Sequence, residues 1–98
     1  MADYPIRNNP EKKRFELSLD GRIAFVDYIL LPTRIIYTHT DVPPALEGRG
    51  VGSALARHVL DFAREQGLSV QPLCPFIASY MRRHREEYED LLAPGFRI

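Results

Sequence analysis

Across Val42-Pro43-Pro44-Ala45-Leu46-Glu47-Gly48-Arg49-Gly50-Val51-Gly52 the apolar pattern of the chain changes from one period to another. Upstream, apolar residues alternate with polar ones; downstream they recur at helical spacing. Gly48, Gly50 and Gly52 sit where strand gives way to helix. The first amides of a helix have no intrahelical acceptor and together carry about half a positive charge, and glycine lets backbone approach an anion with no Cβ in the way. A phosphate-bearing ligand suits such a loop. The other use of the three glycines is a tight turn that lets the helix lie close on a sheet.

Upstream of the loop, Phe15, Leu17 and Leu19 alternate with Glu16 and Ser18, which predicts a strand starting near Arg14. Asp20-Gly21 tolerates positive φ at both positions and leads into the β-prone segment Arg22 to Leu30, so the two runs form a hairpin. Pro32 interrupts the pattern, and Arg34 to Thr40 resumes it with Ile35, Ile36 and Tyr37 as a third strand of an antiparallel meander. Residues 1–13, with Pro5, Asn8, Asn9 and Pro10, read as a flexible leader before a domain spanning 14–98.

Downstream, Val51, Ala54, Leu55, His58, Val59, Phe62 and Ala63 form one helical stripe, which Gly67 ends as a left-handed cap with Leu68 behind it. Leu68 to Leu73 is a short fourth strand, reached by a crossover and parallel to the third. Pro75 suits the first position of a second helix that buries Ile77, Ala78, Tyr80 and Met81 and ends on the basic run Arg82 to Arg85, with a further turn or two over Glu86 to Leu92. The expected fold is therefore α/β (α+β): a three-stranded antiparallel meander, a helix, a fourth strand and a C-terminal helix.

Composition narrows the function. The 98 residues suffice for one core, and with 45% apolar and 27% charged residues at zero formal charge they match a globular protein rather than one that captures nucleic acid by charge. The apolar run Ile23 to Leu31 contains Asp27 and is far shorter than the roughly 20 residues of a membrane span. The N-terminus has no apolar signal-peptide core, which places the protein in the cytoplasm. Cys74 is the single cysteine, so no internal disulfide forms and no metal site is expected.

Two nucleotide motifs fail on the loop. A Walker loop requires Gly-Lys-Ser or Gly-Lys-Thr, and Gly52-Ser53-Ala54 has no lysine. A dinucleotide fingerprint follows the first strand of a parallel unit, whereas this loop follows a meander. The segment instead resembles motif A of the GNAT superfamily of N-acetyltransferases: Val42, Pro44, Gly50 and Gly52 occupy its places, and Leu55 is a regular apolar position of the following helix. Glu47 stands where that motif has Arg or Gln, removing a donor that Arg49 is positioned to replace. The likeness covers about Arg14 to Tyr88 and points to a compact GNAT-like subfamily, with the Pro-Pro loop, the Pro72-Leu73-Cys74-Pro75 segment and the Arg82-Arg83-His84 stretch.

This resemblance implies acetyl-CoA as co-substrate, held by Val42 and by Glu47 through Ser53 (Gly48, Arg49, Gly50, Val51 and Gly52 between them), and an amine acceptor on a small molecule or polypeptide. It also implies a role for Tyr80 like that of the motif B tyrosine, whose phenol protonates the departing CoA thiolate. Cys74, expected at the N-cap of the second helix, is placed to take the acetyl group as a thiolate; its duller use is as a small core residue. His39 is the candidate base for the amine, with Asp41 on the same strand face. His58 reads as packing. The alternatives to an enzyme are a CoA sensor without turnover and a protein-binding adaptor, as a monomer or a weak homodimer through exposed strand edges.

Overall fold

A computed structural model describes residues 4–98; Met1, Ala2 and Asp3, part of the expected leader, lie outside the described residues. Five strands form one sheet in the order β1-β2-β3-β4-β5: β1 (Ile6–Asn9), β2 (Arg14–Leu19), β3 (Arg22–Leu30), β4 (Arg34–Asp41) and β5 (Ser69–Pro72). The helices are α1 (Val51–Glu65), α2 (Pro75–Arg83) and the short α3 (Arg85–Tyr88). The four strands β1 to β4 pair antiparallel, and β5 joins β4 in parallel from Arg34↔Ser69 to Tyr37↔Pro72.

The meander has one strand more than the sequence predicts. Ile6–Asn9, expected within a flexible leader, pairs with β2 from Ile6↔Leu17 to Asn9↔Arg14. Only Ile6 of this strand is apolar, so alternation gives no signal. Polar contacts hold it instead. Arg7 Nε and Asn9 Nδ2 donate to the buried carboxylate of Glu16 at 3.3 and 3.4 Å, and Tyr28 donates to Asn8 Oδ1 at 2.7 Å. Without β1, Glu16 would lose both of these donors.

The remaining elements form for the reasons their residues suggest. Asp20 and Gly21 both have positive φ, 52° and 72°, the conformation that matches the twist of a two-residue hairpin. Gly67, at φ 70°, closes α1, with Leu68 N donating to Ala63 O at 2.9 Å. Past α3 and one 3-10 turn, Ala93 N reaches Val70 O at 2.8 Å, so the C-terminal segment covers part of the outer edge of β5.

The helices lie on one face of the sheet. Phe15, Leu17, Ala24, Val26, Ile35 and Tyr37 face Val51, Leu55, Ala56, Val59, Leu60 and Ala63 of α1 together with Ile77 and Met81 of α2. Each large side chain buried there contributes roughly 1.5–3 kcal/mol. His58 stands exposed at the margin of the stripe, its ring at the edge of Phe15 with centroids 5.6 Å apart. Among the described residues the opposite face has no helical layer, and Ile23 and Ile29 of β3 remain 47% and 46% exposed on it.

Candidate active site

The loop between β4 and α1 is built around one anchor. Pro44–Leu46 makes a single 3-10 turn that buries Leu46, with the amides of Leu46 and Glu47 donating to Pro43 O and Pro44 O. Gly48 and Gly50 then adopt φ of 77° and 76°, a region that costs an ordinary residue about 1–2 kcal/mol. A Cβ at either would meet nothing within 4 Å, so glycine serves conformation at these two positions. At Gly52 it serves space: a Cβ would lie 2.7 Å from Phe76 Cζ.

This path leaves a row of donors. The first α1 amide to find an acceptor is that of Ala54, bonded to Gly50 O at 3.0 Å; among the described residues, the amides of Gly48 to Ser53 donate to no carbonyl or side chain. Six consecutive amides without acceptors at the positive end of a 15-residue helix are an arrangement that suits an anion. Arg49 does not supply the missing side-chain donor, because its guanidinium pairs with Asp20 at 2.6 Å, and that contact raises its pKa. Its carbonyl accepts from Tyr4 at 2.5 Å, so the loop is held from the hairpin turn and from the segment before β1. Arg83 of α2 lines the cavity beside the loop and makes no ion pair among the described residues. Arg83, and not Arg49, is the basic residue in the lining of this cavity. Glu47 and Asp41 line the same cavity, of about 580 Å³.

That cavity opens onto the point where β4 leaves β5. Pairing stops at Tyr37↔Pro72, while β4 continues to Asp41; Cys74 N donates to Tyr37 O at 2.9 Å and α2 begins at the next residue. Across the gap, Cys74 Sγ and Thr40 Oγ1 are 3.1 Å apart. Cys74 is 2% exposed at the N-cap of α2.

A β-bulge determines which side chains meet there. Tyr37 pairs with Tyr28 and His39 with Asp27, leaving Thr38 without a partner, its Oγ1 3.4 Å from Asp27 O. Strict alternation would set His39 beside Tyr37 on the helix face. The extra residue reverses this, sending Thr40 to Cys74 and His39 with Asp41 to the open face. On that face the His39 ring lies 6.1 Å from Phe25, Arg14 covers Phe25 at 3.8 Å, and Arg14 Nε pairs with Asp27 at 3.2 Å.

Of the three chemical candidates, the structure gathers His39 and Cys74 around the divergence of β4 and β5, one from each face. It does not bring Tyr80 there. Tyr80, 4% exposed, stacks on His84 with centroids 4.2 Å apart and lines a second, smaller cavity with Tyr4, Ser53 and Arg57. Residues that sequence reasoning passed over are Thr40, Phe76, Tyr4 and Arg57. Only Phe76 carried a signal, four residues before Tyr80 on one face of α2.

The family model described as GCN5-related N-acetyl-transferase matches residues 14–91. The human protein NATD1 is 33% identical over 96 residues, covering 92% of this chain and 85% of that protein, and its mouse counterpart is 32% identical with 92% and 87% covered. A GCN5-like protein of Staphylococcus aureus, solved in solution by NMR, superposes with a TM-score of 0.68 at 28% identity, covering 99% of this chain and 94% of that one. The match over residues 14–91, on a five-stranded sheet with a glycine loop before its principal helix, shows that the chain belongs to the GCN5-related N-acetyltransferase family.

Proposed function

We propose that the protein transfers the acetyl group of acetyl-CoA to a primary amine. The observation that carries this reading is the row of amides from Gly48 to Ser53, free of acceptors, beside the gap between β4 and β5. Those amides and Arg83 suit the pyrophosphate, and the gap suits an extended thioester arm bonded to the strand backbone of Thr38 to Asp41. Bound there, acetyl-CoA supplies an acetyl group already activated as a thioester.

The chain's own groups then have distinct tasks. A β4 amide polarises the thioester carbonyl. His39, on the open face, accepts the proton of an ammonium that approaches from that side, and Asp41 beside it favours a cationic acceptor. The Thr40–Cys74 pair borders the sulfur from the helix face. Attack is direct, from the amine held near His39: as the C–N bond forms the C–S bond breaks, CoA leaves as a thiolate that solvent protonates, and the nitrogen gives its remaining extra proton to solvent.

The test measures release of free CoA thiol from acetyl-CoA over a panel of primary amines, with His39→Gln in parallel. Amine-dependent release that falls in the variant supports transfer. Two observations favour a second reading, CoA binding without turnover: Glu47 lines the loop cavity, and Tyr80 stands away from the strand gap. Saturable binding with no amine-dependent release would establish that reading instead.

A further inference from the structure

The open face of the sheet sets apolar side chains on both sides of His39 and Asp41. Along β3, Ile23, Phe25, Asp27 and Ile29 point to this face; β4 adds Ile36 opposite Ile29, His39 opposite Asp27 and Asp41 opposite Phe25. The polar centre therefore has Ile29 and Ile36 toward one end of the strands and Phe25 and Ile23 toward the other. His39 and Asp41 are exposed, as are Ile23 and Ile29. Sites for small molecules are concave and bury most of the ligand, whereas this base stands at the surface of a sheet.

We propose that the open face docks a polypeptide, and that the acceptor is the Nε of an internal lysine with apolar residues on both sides of it. The inference rests on the acetyl-transfer reading above and names its substrate. The lysine ammonium meets Asp41 and gives one proton to His39. The Nε–C bond then forms as the C–S bond of the thioester breaks, the CoA thiolate leaves, and the second proton of the nitrogen goes to solvent.

Span decides against a small amine. Ile23 and Ile29 lie six residues apart on one strand, about 20 Å. A small aliphatic amine held at His39 cannot cover both, while about six residues of extended chain do. The two-sided arrangement decides against an α-amine, because a chain end engages one apolar end of the face and an internal lysine lets the chain run both ways. Charge selects a cation. Glu16 and Asp27 of this face are paired with Arg7 and Arg14, each at 3.2 Å, whereas Asp41 makes no ion pair among the described residues. Arg14, the cation over Phe25, is neutralised by Asp27. In an extended segment the side chains two residues either side of the lysine share its face, so those are the positions that meet the isoleucines.

Rates of CoA thiol release, with mass spectrometry to locate the acetyl group, test this on the wild type with four acceptors. They are an N-terminally blocked peptide with a central lysine and leucines two residues to either side, the same peptide with serines for the leucines, a lysine-free leucine peptide with a free α-amine, and cadaverine, which carries the lysine amine without a backbone. The blocked leucine peptide should have the highest kcat/KM, with the acetyl group on Nε. It should exceed the serine peptide by at least about tenfold, the worth of covering two half-exposed isoleucines. Ile23→Ser and Ile29→Ser should each raise KM for the leucine peptide about fivefold. Leu30→Ser should not, since Leu30 is 54% exposed but lines a hollow with Phe62 and Gln66 on the helix side. Equal rates with leucine and serine peptides, or a kcat/KM for cadaverine or the α-amine peptide that matches the blocked leucine peptide, would overturn the inference while leaving acetyl transfer intact. No amine-dependent release with any of the four would overturn both.

Discussion

Replacing Gly52 with alanine isolates why the loop needs its third glycine. In a helix the change alone gains about 1 kcal/mol, because alanine loses less chain entropy than glycine. In this protein the new Cβ would lie 2.7 Å from Phe76 Cζ, a separation that forces the ring to move. Phe76 is half-buried against the core, and overpacking of this kind costs about 1–3 kcal/mol. The net expectation is a destabilisation of about 1 kcal/mol, read in thermal denaturation as a fall in Tm of about 4–8 °C for a domain of this size. Trimming the ring should recover the loss: Phe76→Leu combined with Gly52→Ala should show a coupling of about 0.5–3 kcal/mol in a double-mutant cycle. Strictly additive effects would refute the argument that Gly52 is glycine to admit Phe76. Gly50→Ala is the contrast, since its cost is backbone strain and Phe76→Leu should leave it unchanged.

Three other outcomes follow from the site and the core. His39→Gln should lower kcat/KM for an amine acceptor about 10²–10⁴-fold, the range of a general base, whereas Tyr80→Phe should change kcat by less than about tenfold; the reverse order would return the acid role to Tyr80. Cys74→Ala should retain turnover, and mass spectrometry of wild type mixed with acetyl-CoA should find no acetylated Cys74; a trapped cysteine thioester would replace direct attack by a relay. Burial raises the phenol pKa of Tyr37 and of Tyr88, the latter also through Asp61. Unfolded tyrosines lose their protons near pH 10 while the folded ones keep theirs, so stability should fall above that pH by about 1.4 kcal/mol per unit for each ring. Tyr37→Phe should halve this slope in denaturant titrations between about pH 10 and 12, and an unchanged slope would assign the effect elsewhere.

The parts of the fold legible in the sequence were those whose side chains repeat. Alternation from Phe15 to Tyr37 and the stripe from Val51 to Ala63 placed β2 to β4 and α1, and Gly67 marked the helix end because its backbone requirement is local. β1 was illegible because its stability lies in polar contacts to Glu16, which no periodicity records. The bulge at Thr38 was equally hidden. It depends on how β3 and β4 pair, and it moves His39 to the opposite face without a mark in the residues themselves. The loop is legible in the sequence, but the direction of its cations is not: Arg49 turns to Asp20, twenty-nine positions away in sequence, and leaves Arg83 at the cavity.

The measurement closest to the central claim is calorimetric titration of acetyl-CoA into the wild type and into Ser53→Glu. Ser53 is exposed and lines both cavities, and glutamate is well tolerated at the third position of a helix, so the variant should fold. A carboxylate about 4 Å from a phosphate opposes it by about 1 kcal/mol in water and about 4 kcal/mol at the protein surface, which corresponds to a loss of at least about fivefold. Saturable binding to the wild type that weakens by that factor or more in the variant is the predicted result. Unchanged affinity in Ser53→Glu, or no binding to the wild type at millimolar ligand, would contradict the account.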